Sequence, residues 1–175
     1  MKKFKLTSEF IVDISGVKLF RIKALIEFGN VKAGDLGGYI EKEENLSHMG
    51  DAWVSDDARI SGNAQVFGNA QVFGDAQVSG NARVFGNARV SGDAQVFGDA
   101  RVSGDKDYAY AHGFGSCNRT TTFFRLKDGD VGVRCGCFYG TLAQFRDKVC
   151  ETHGETKKAQ EYLMLADLME IRFKN

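Results

Sequence analysis

The stretch Ala111-His-Gly-Phe-Gly-Ser-Cys-Asn-Arg-Thr-Thr121 gathers the groups in this chain best suited to gripping an anion. Gly113 and Gly115 let backbone N–H groups converge, while Ser116, Asn118, Arg119 and Thr120 supply donors of the kind that hold phosphate. The spacing matches neither a P-loop nor a dinucleotide fingerprint, so a glycine-rich connector into a strand competes with an anion or nucleotide site. Cys135 and Cys137 lie two apart, on what reads as one strand face with Val131 and Val133, the pattern of buried core cysteines. With Cys117, Cys150 or His153 they could complete a zinc site, but no second closely spaced pair is present and no metal is expected. The histidines are His48, His112 and His153. His48 falls where the repeat described next would put valine, so it reads as a packed core histidine and not as a general base.

These residues flank a repeat that must position them. From Asp51 to Gly104 one six-residue phrase, close to (Asn/Asp)-Ala-(Gln/Arg)-Val-(Phe/Ser)-Gly, occurs nine times. Ala-x-Val has the period of two expected of a strand, with Ala and Val on one side and Gln or Arg on the other. The (Phe/Ser)-Gly-(Asn/Asp) punctuation sets residues that tolerate positive φ at each corner, so the chain turns every six residues. Three turns close a triangle of 18 residues, and a core appears only when triangles stack. The motif resembles the left-handed β-helix of hexapeptide-repeat proteins, in which an aliphatic residue is followed four positions later by a small one, as in Val66 to Ala70, Val72 to Ala76 and Val84 to Ala88. The left hand is implied by that resemblance alone.

Stacking by 18 sorts the outward residues into walls. One carries Gln65, Arg83 and Arg101 beside a corner column of Phe67, Phe85 and Ser103; the second carries Trp53, Gln71 and Arg89 with Ser55, Phe73 and Ser91; the third carries Arg59, Gln77 and Gln95 with Ser61, Ser79 and Phe97. Arginine beside exposed phenylalanine can hold a planar anion by charge and stacking, and the same pairing is enriched at subunit interfaces. Arg83, Arg101, Phe67 and Phe85 are therefore candidates for either a ligand wall or an interface. Asp57, Asp75 and Asp93 form another column, with a sufficient reason as turn residues.

The flanks read as separate pieces, giving an N-terminal β cap over 1–32, the β-helix over 33–104 and a C-terminal α+β region over 105–175. Phe10–Ile14 and Val17–Ile26 around Ser15-Gly16 predict a hairpin. Residues 33–50 read as a degenerate first coil with a bulge around Glu41 to Glu44. Beyond Asp105, Arg119–Leu126 and Val131–Phe138 around Lys127-Asp-Gly-Asp130 predict a second hairpin, followed by two helices. Thr141 with Gln144 has capping-box spacing, Leu142, Phe145 and Val149 share a face, and Gly154 is placed to stop the first helix. The second helix, about Lys157 to Phe173, is broadly apolar and needs another element or subunit to cover it.

Basic and acidic residues balance at 23 each, which advertises neither a nucleic acid polymer nor an anionic membrane as partner. Residues 1–32 nevertheless carry seven basic and three acidic side chains, and residues 33–57 one basic and seven acidic. No apolar run approaches the ~18 residues of a membrane span, and no hydrophobic segment follows Met1-Lys-Lys-Phe-Lys-Leu, so a cytoplasmic location with free thiols is expected.

Lys32-Ala-Gly-Asp-Leu-Gly-Gly-Tyr-Ile-Glu-Lys-Glu-Glu-Asn-Leu-Ser47 before the repeat and Cys135-Gly-Cys-Phe-Tyr-Gly-Thr141 after it resemble a group of hexapeptide-repeat proteins from phages, prophages and gut bacteria. That resemblance covers nearly the whole chain and implies a phage-related setting, a β-helix body and trimers, but no particular reaction. Many hexapeptide-repeat relatives are acyltransferases that bind coenzyme A between subunits and use a histidine as base. Here no loop interrupts the nine phrases and none contains histidine, which counts against that chemistry. The reading is a mainly β, non-catalytic oligomer without a cofactor, which holds an anionic small molecule, such as a nucleotide signal of host defence, or a host protein at subunit junctions. A coenzyme A-dependent acyltransferase and a structural assembly module are the alternatives.

Overall fold

A computed structural model of the 175-residue chain describes residues 1–174. Its centre is a β-solenoid of about four turns whose walls follow the period of 18. One wall stacks β4 (Trp53–Val54), β7 (Gln71–Val72) and β10 (Arg89–Val90) in parallel. The next stacks β6 (Gln65–Val66), β9 (Arg83–Val84) and β12 (Arg101–Val102). The third stacks β5 (Arg59–Ile60), β8 (Gln77–Val78) and β11 (Gln95–Val96). Inside, the Ala and Val columns from Ala52 to Val102 are at most 1% exposed, so each two-residue strand contributes to a core shared with its neighbours above and below. At the corners glycine is needed for conformation and for space. Gly80 has φ +72°, and a Cβ there would lie 2.8 Å from Gly98 N.

The N-terminal hairpin is β1 (Phe4–Val12) with β2 (Lys18–Ala24). It continues into β3 (Leu36–Ile40), antiparallel to β2 and parallel to β5, making one six-stranded sheet with the third wall. The first coil departs from expectation in one place. Ile40 pairs with Ile60 and Leu46 with Val66, both 20 residues apart, whereas Val54 pairs with Val72, 18 apart. The two additional residues therefore lie between Leu46 and Trp53. No bulge is needed at Glu41–Glu44, where Glu43–Asn45 forms a 3-10 turn that keeps six-residue spacing from Ile40 to Leu46. Trp53 keeps its column but is 4% exposed, because Phe28 lies edge-on to it at 5.4 Å and Gly37 leaves room for its ring.

Each end of the solenoid has a polar terminator suited to the backbone groups it meets. Many bonds between coils run forward, as from Gln71 N–H to Ala88 O (2.9 Å) and Phe73 N–H to Val90 O (3.0 Å). The first coil is left with carbonyls that no earlier coil can reach. On the third wall Tyr39 N–H and Glu41 N–H reach Ala58 O and Ile60 O; on the second, Asn45 Nδ2 donates to Gly62 O and Ala64 O. On the first wall the Lys3 ammonium, 1% exposed, donates to Gly50 O (3.2 Å) and Ala52 O (2.7 Å) beneath the Phe28 ring. Burial pushes the Lys3 pKa down to about 8, against the opposing pull of Asp51.

The last coil leaves N–H groups instead, and acceptors meet them: Asp105 Oδ1 takes Arg89 N–H, Tyr108 OH takes Ser91, Thr122 Oγ1 takes Gln95 and Asp107 Oδ2 takes Ser103. Tyr108 and Thr122 belong to a four-stranded antiparallel sheet of β13 (Tyr108–Phe114), β14 (Arg119–Arg125), β15 (Val131–Cys135) and β16 (Phe138–Thr141). Of these four strands the sequence pattern predicts only the central hairpin. Strand alternation joins two cores: Phe124 faces the solenoid interior, while its neighbour Phe123 faces a second core beneath α1 (Leu142–His153) and α2 (Lys157–Phe173). The capping box forms as predicted, Gln144 Oε1 accepting from Thr141 N–H and Thr141 Oγ1 from Gln144 N–H. α2 buries Ala159, Tyr162, Ala166, Met169 and Phe173 and leaves Met164, Leu168 and Ile171 exposed.

Candidate functional site

The candidate residues fall on two parts of the molecule. On the second wall, Phe67 and Phe85 stack at 5.2 Å with 5° between their planes, a continuous aromatic edge made by two successive corners. Arg83 stands beside it, its Nε donating to Gln65 Oε1 (3.1 Å). Gln65, Phe67 and Arg83 line a lateral groove of about 720 Å³ together with Glu43, Glu44, Leu46, Ser47 and His48 of the first coil. Arg101 is directed elsewhere: its Nη1 donates to the carbonyls of Asn81 (3.0 Å) and Ala100 (2.9 Å).

The charges around this groove are partly neutralised. Lys2 Nζ lies 2.8 and 3.0 Å from the two Glu43 oxygens and, with His48, holds that carboxyl below the usual range. His48 is half-buried: its ring stacks on Phe4 at 4.3 Å, Nδ1 accepts from Lys3 N–H at 3.2 Å and Nε2 lies 3.7 Å from Glu43. Nδ1 is thus committed to structure, while Nε2 is buried with no hydrogen-bond partner, and Leu46, not His48, takes the place of the repeat valine by pairing with Val66. His48 is a packing histidine at the edge of the core.

The Gly113–Thr120 candidates lie at the β13–β14 hairpin end. Gly115 N–H donates to Glu161 Oε2 (2.7 Å) and Ser116 N–H to Tyr162 OH (3.0 Å), so α2 occupies those two amides. Thr120 is buried and its Oγ1 lies 2.8 Å from His112 Nδ1, itself 3.8 Å from Asp93 Oδ2. Asn118 is an exposed turn residue at φ 46°, and Gly113, at φ 87°, has open space around it. Ser116 and Arg119 come together on a smaller pocket whose other lining residues are distant in sequence. Cys137 is not on the strand face with Val133. It occupies the two-residue Gly136-Cys137 turn between β15 and β16 and is exposed, because Gly136 at φ 58° begins the turn straight after Cys135, where the alternation implied a strand to Phe138. Among the described residues no three His, Cys, Asp or Glu side chains gather as metal ligands.

A second convergence of arginine and aromatic groups escaped the sequence. Phe73 and Arg89 on the first wall meet Tyr108, Tyr110 and Arg172 of the C-terminal part around a groove of about 610 Å³. The column of Phe73 and Arg89 was legible, but not the arrival of α2 and β13 beside it.

A stack of parallel coils built on six-residue units with inward Ala and Val makes this a β-solenoid repeat protein. The repeat is similar to the YdcK beta solenoid repeat, whose family model matches residues 58–74, 64–80, 76–92 and 94–105. No curated protein matches the chain. Among the described residues no helix is long and apolar enough to cross a membrane.

Proposed function

We propose that the protein is a non-catalytic, trimeric binding protein that holds an anionic small molecule at the junctions between its copies. The observation that carries this reading is Phe67, stacked on Phe85, beside Arg83 on a groove of about 720 Å³, a surface able to take a planar anion by stacking and charge. Of the two acids in the groove lining, Glu43 is already paired with Lys2, so its charge opposes an anion less than its position suggests, while Glu44 is in no ion pair among the described residues. At both solenoid ends the backbone groups are met by the flanking segments, largely through side chains, which favours lateral association over end-to-end growth. The resemblance of the flanks to phage and prophage hexapeptide-repeat proteins supports a phage-encoded protein in host cytoplasm, with a nucleotide signal of host defence as the ligand.

Isothermal titration of the full chain with cyclic mononucleotides and cyclic dinucleotides tests this. Saturable binding is expected, weakened about tenfold or more in Arg83→Ala. Equal affinity in wild type and Arg83→Ala, or no nucleotide binding at all, overturns the reading and leaves a host protein or an assembly role for the same wall.

A further inference from the structure

The pocket between the C-terminal sheet and its helices has a chemistry different from that of the solenoid groove. Its floor and walls are apolar or aromatic: Phe138, Phe145, Val149 and the Tyr162 ring, with Cys135 beside them. Phe145 and Tyr162 meet edge to face at 5.6 Å and Phe138 lies 5.6 Å from Phe145, so the walls are braced against one another. The polar atoms within are already engaged. Tyr162 OH accepts from Ser116 N–H at 3.0 Å and lies 3.8 Å from Cys135 Sγ, and Cys135 Sγ accepts from Thr121 Oγ1 at 3.2 Å. Burial pushes the Tyr162 phenol up, so it stays neutral near pH 7.

At the mouth the character reverses. Arg119, Lys148 and His153 supply the charged or chargeable lining, and Lys148 alone has an acidic partner, Glu151 at 2.9 Å. No ion pair engages Arg119 among the described residues. Two glycines with positive φ set this arrangement: Gly136, over which the Arg119 guanidinium lies so closely that a Cβ would collide with Nη1, and Gly115, whose bare backbone admits the Tyr162 ring. The space measures about 180 Å³, below the ~300–1,000 Å³ of ordinary drug-sized sites, so its occupant is one ring or one short chain.

We propose that this pocket binds a small monocarboxylate with an apolar body, the carboxylate on Arg119 at the mouth and the body against Phe138, Phe145 and Val149. Neutral apolar molecules leave the cationic mouth unanswered, while inorganic anions leave the aromatic walls unused. A planar guanidinium suits a carboxylate bidentately, and the imidazole of His153, 5.7 Å from the Tyr162 ring, is a further N–H donor in the lining. The site is separate from the solenoid groove and does not depend on oligomerisation.

The test is calorimetric titration of the full chain with benzoate, hexanoate and inorganic phosphate, alongside iodoacetamide labelling of Cys135 read by peptide mass spectrometry. Saturable binding of benzoate or hexanoate that slows Cys135 labelling is expected, benzoate identifying an aromatic body and hexanoate an aliphatic one. Arg119→Ala should weaken binding about tenfold, Arg119→Lys less, and Val149→Trp should abolish it by filling the pocket, each with an unchanged circular dichroism spectrum. Arg83→Ala should leave it unaltered, which separates failure here from failure of the solenoid reading. Phosphate binding as tightly as both carboxylates, or affinity unchanged in Arg119→Ala, overturns the proposal, as does absence of saturable carboxylate binding.

Discussion

Lys3 is the residue at which backbone geometry and electrostatics meet most directly. A buried ammonium is costly, yet here it replaces the N–H groups of a missing coil by donating to Gly50 O and Ala52 O. Its folded pKa of about 8 lies below the ordinary 10.5, so between these values the unfolded chain binds more protons and stability rises with pH. The neutral amine still has two N–H donors for the two carbonyls, so deprotonation leaves the terminator in place. Lys3→Met should remove this pH dependence and, by orphaning both carbonyls, cost about 1–3 kcal/mol near pH 7, read from urea unfolding at pH 7 and pH 9.5. An unchanged pH slope in Lys3→Met would show that Lys3 is not the group responsible. Nothing in the Met1-Lys-Lys-Phe stretch marks Lys3 for this role, since it depends on where the first wall begins.

At the scale of the element, the coils owe their regularity to corners where both φ and space demand glycine. Gly80→Ala should destabilise by about 1–3 kcal/mol, since it combines a positive φ with a close approach to the Gly98 backbone. Gly104 is extended at φ −159°, and a Cβ added there would meet nothing within 4 Å, so it should accept alanine almost without cost. Comparing the melting curves of the two variants checks the argument. The repeat and its register were legible because they depend on neighbours six and 18 residues apart, all obeying one pattern. The displaced insertion after Leu46, the buried Trp53 and the Gly136-Cys137 turn were not legible for the opposite reason. Each is decided by one contact outside the pattern: the Leu46–Val66 bridge, the Phe28 cover, or a glycine φ. In β13 the alternation of Tyr108, Tyr110 and His112 was present, but its glycines spoke for a connector.

At the scale of the whole molecule, the solenoid is a closed object with terminators on both ends, and β14 joins its core to that of the helices through Phe124 and Phe123. Phe124→Ala should open the last coil and cost about 3–5 kcal/mol, and denaturant unfolding, expected in one transition for the unaltered chain, should split into two as the cores uncouple. Of the candidate site, the Arg83 and Phe67–Phe85 group was readable from the period of 18, since stacking alone brings those residues together. Of the carboxylate pocket only Ser116 and Arg119 were, because its apolar walls come from Cys135 through Tyr162 and converge only when two helices fold across a sheet. What the molecule does with its lateral wall turns on how many copies meet there and what they hold. Native mass spectrometry of the full chain, without and with nucleotide, reads both quantities together. A trimer that carries or takes up an anionic ligand and loses it in Arg83→Ala is expected; a monomer, or a trimer whose mass never changes on nucleotide addition, would contradict a ligand-holding lateral wall.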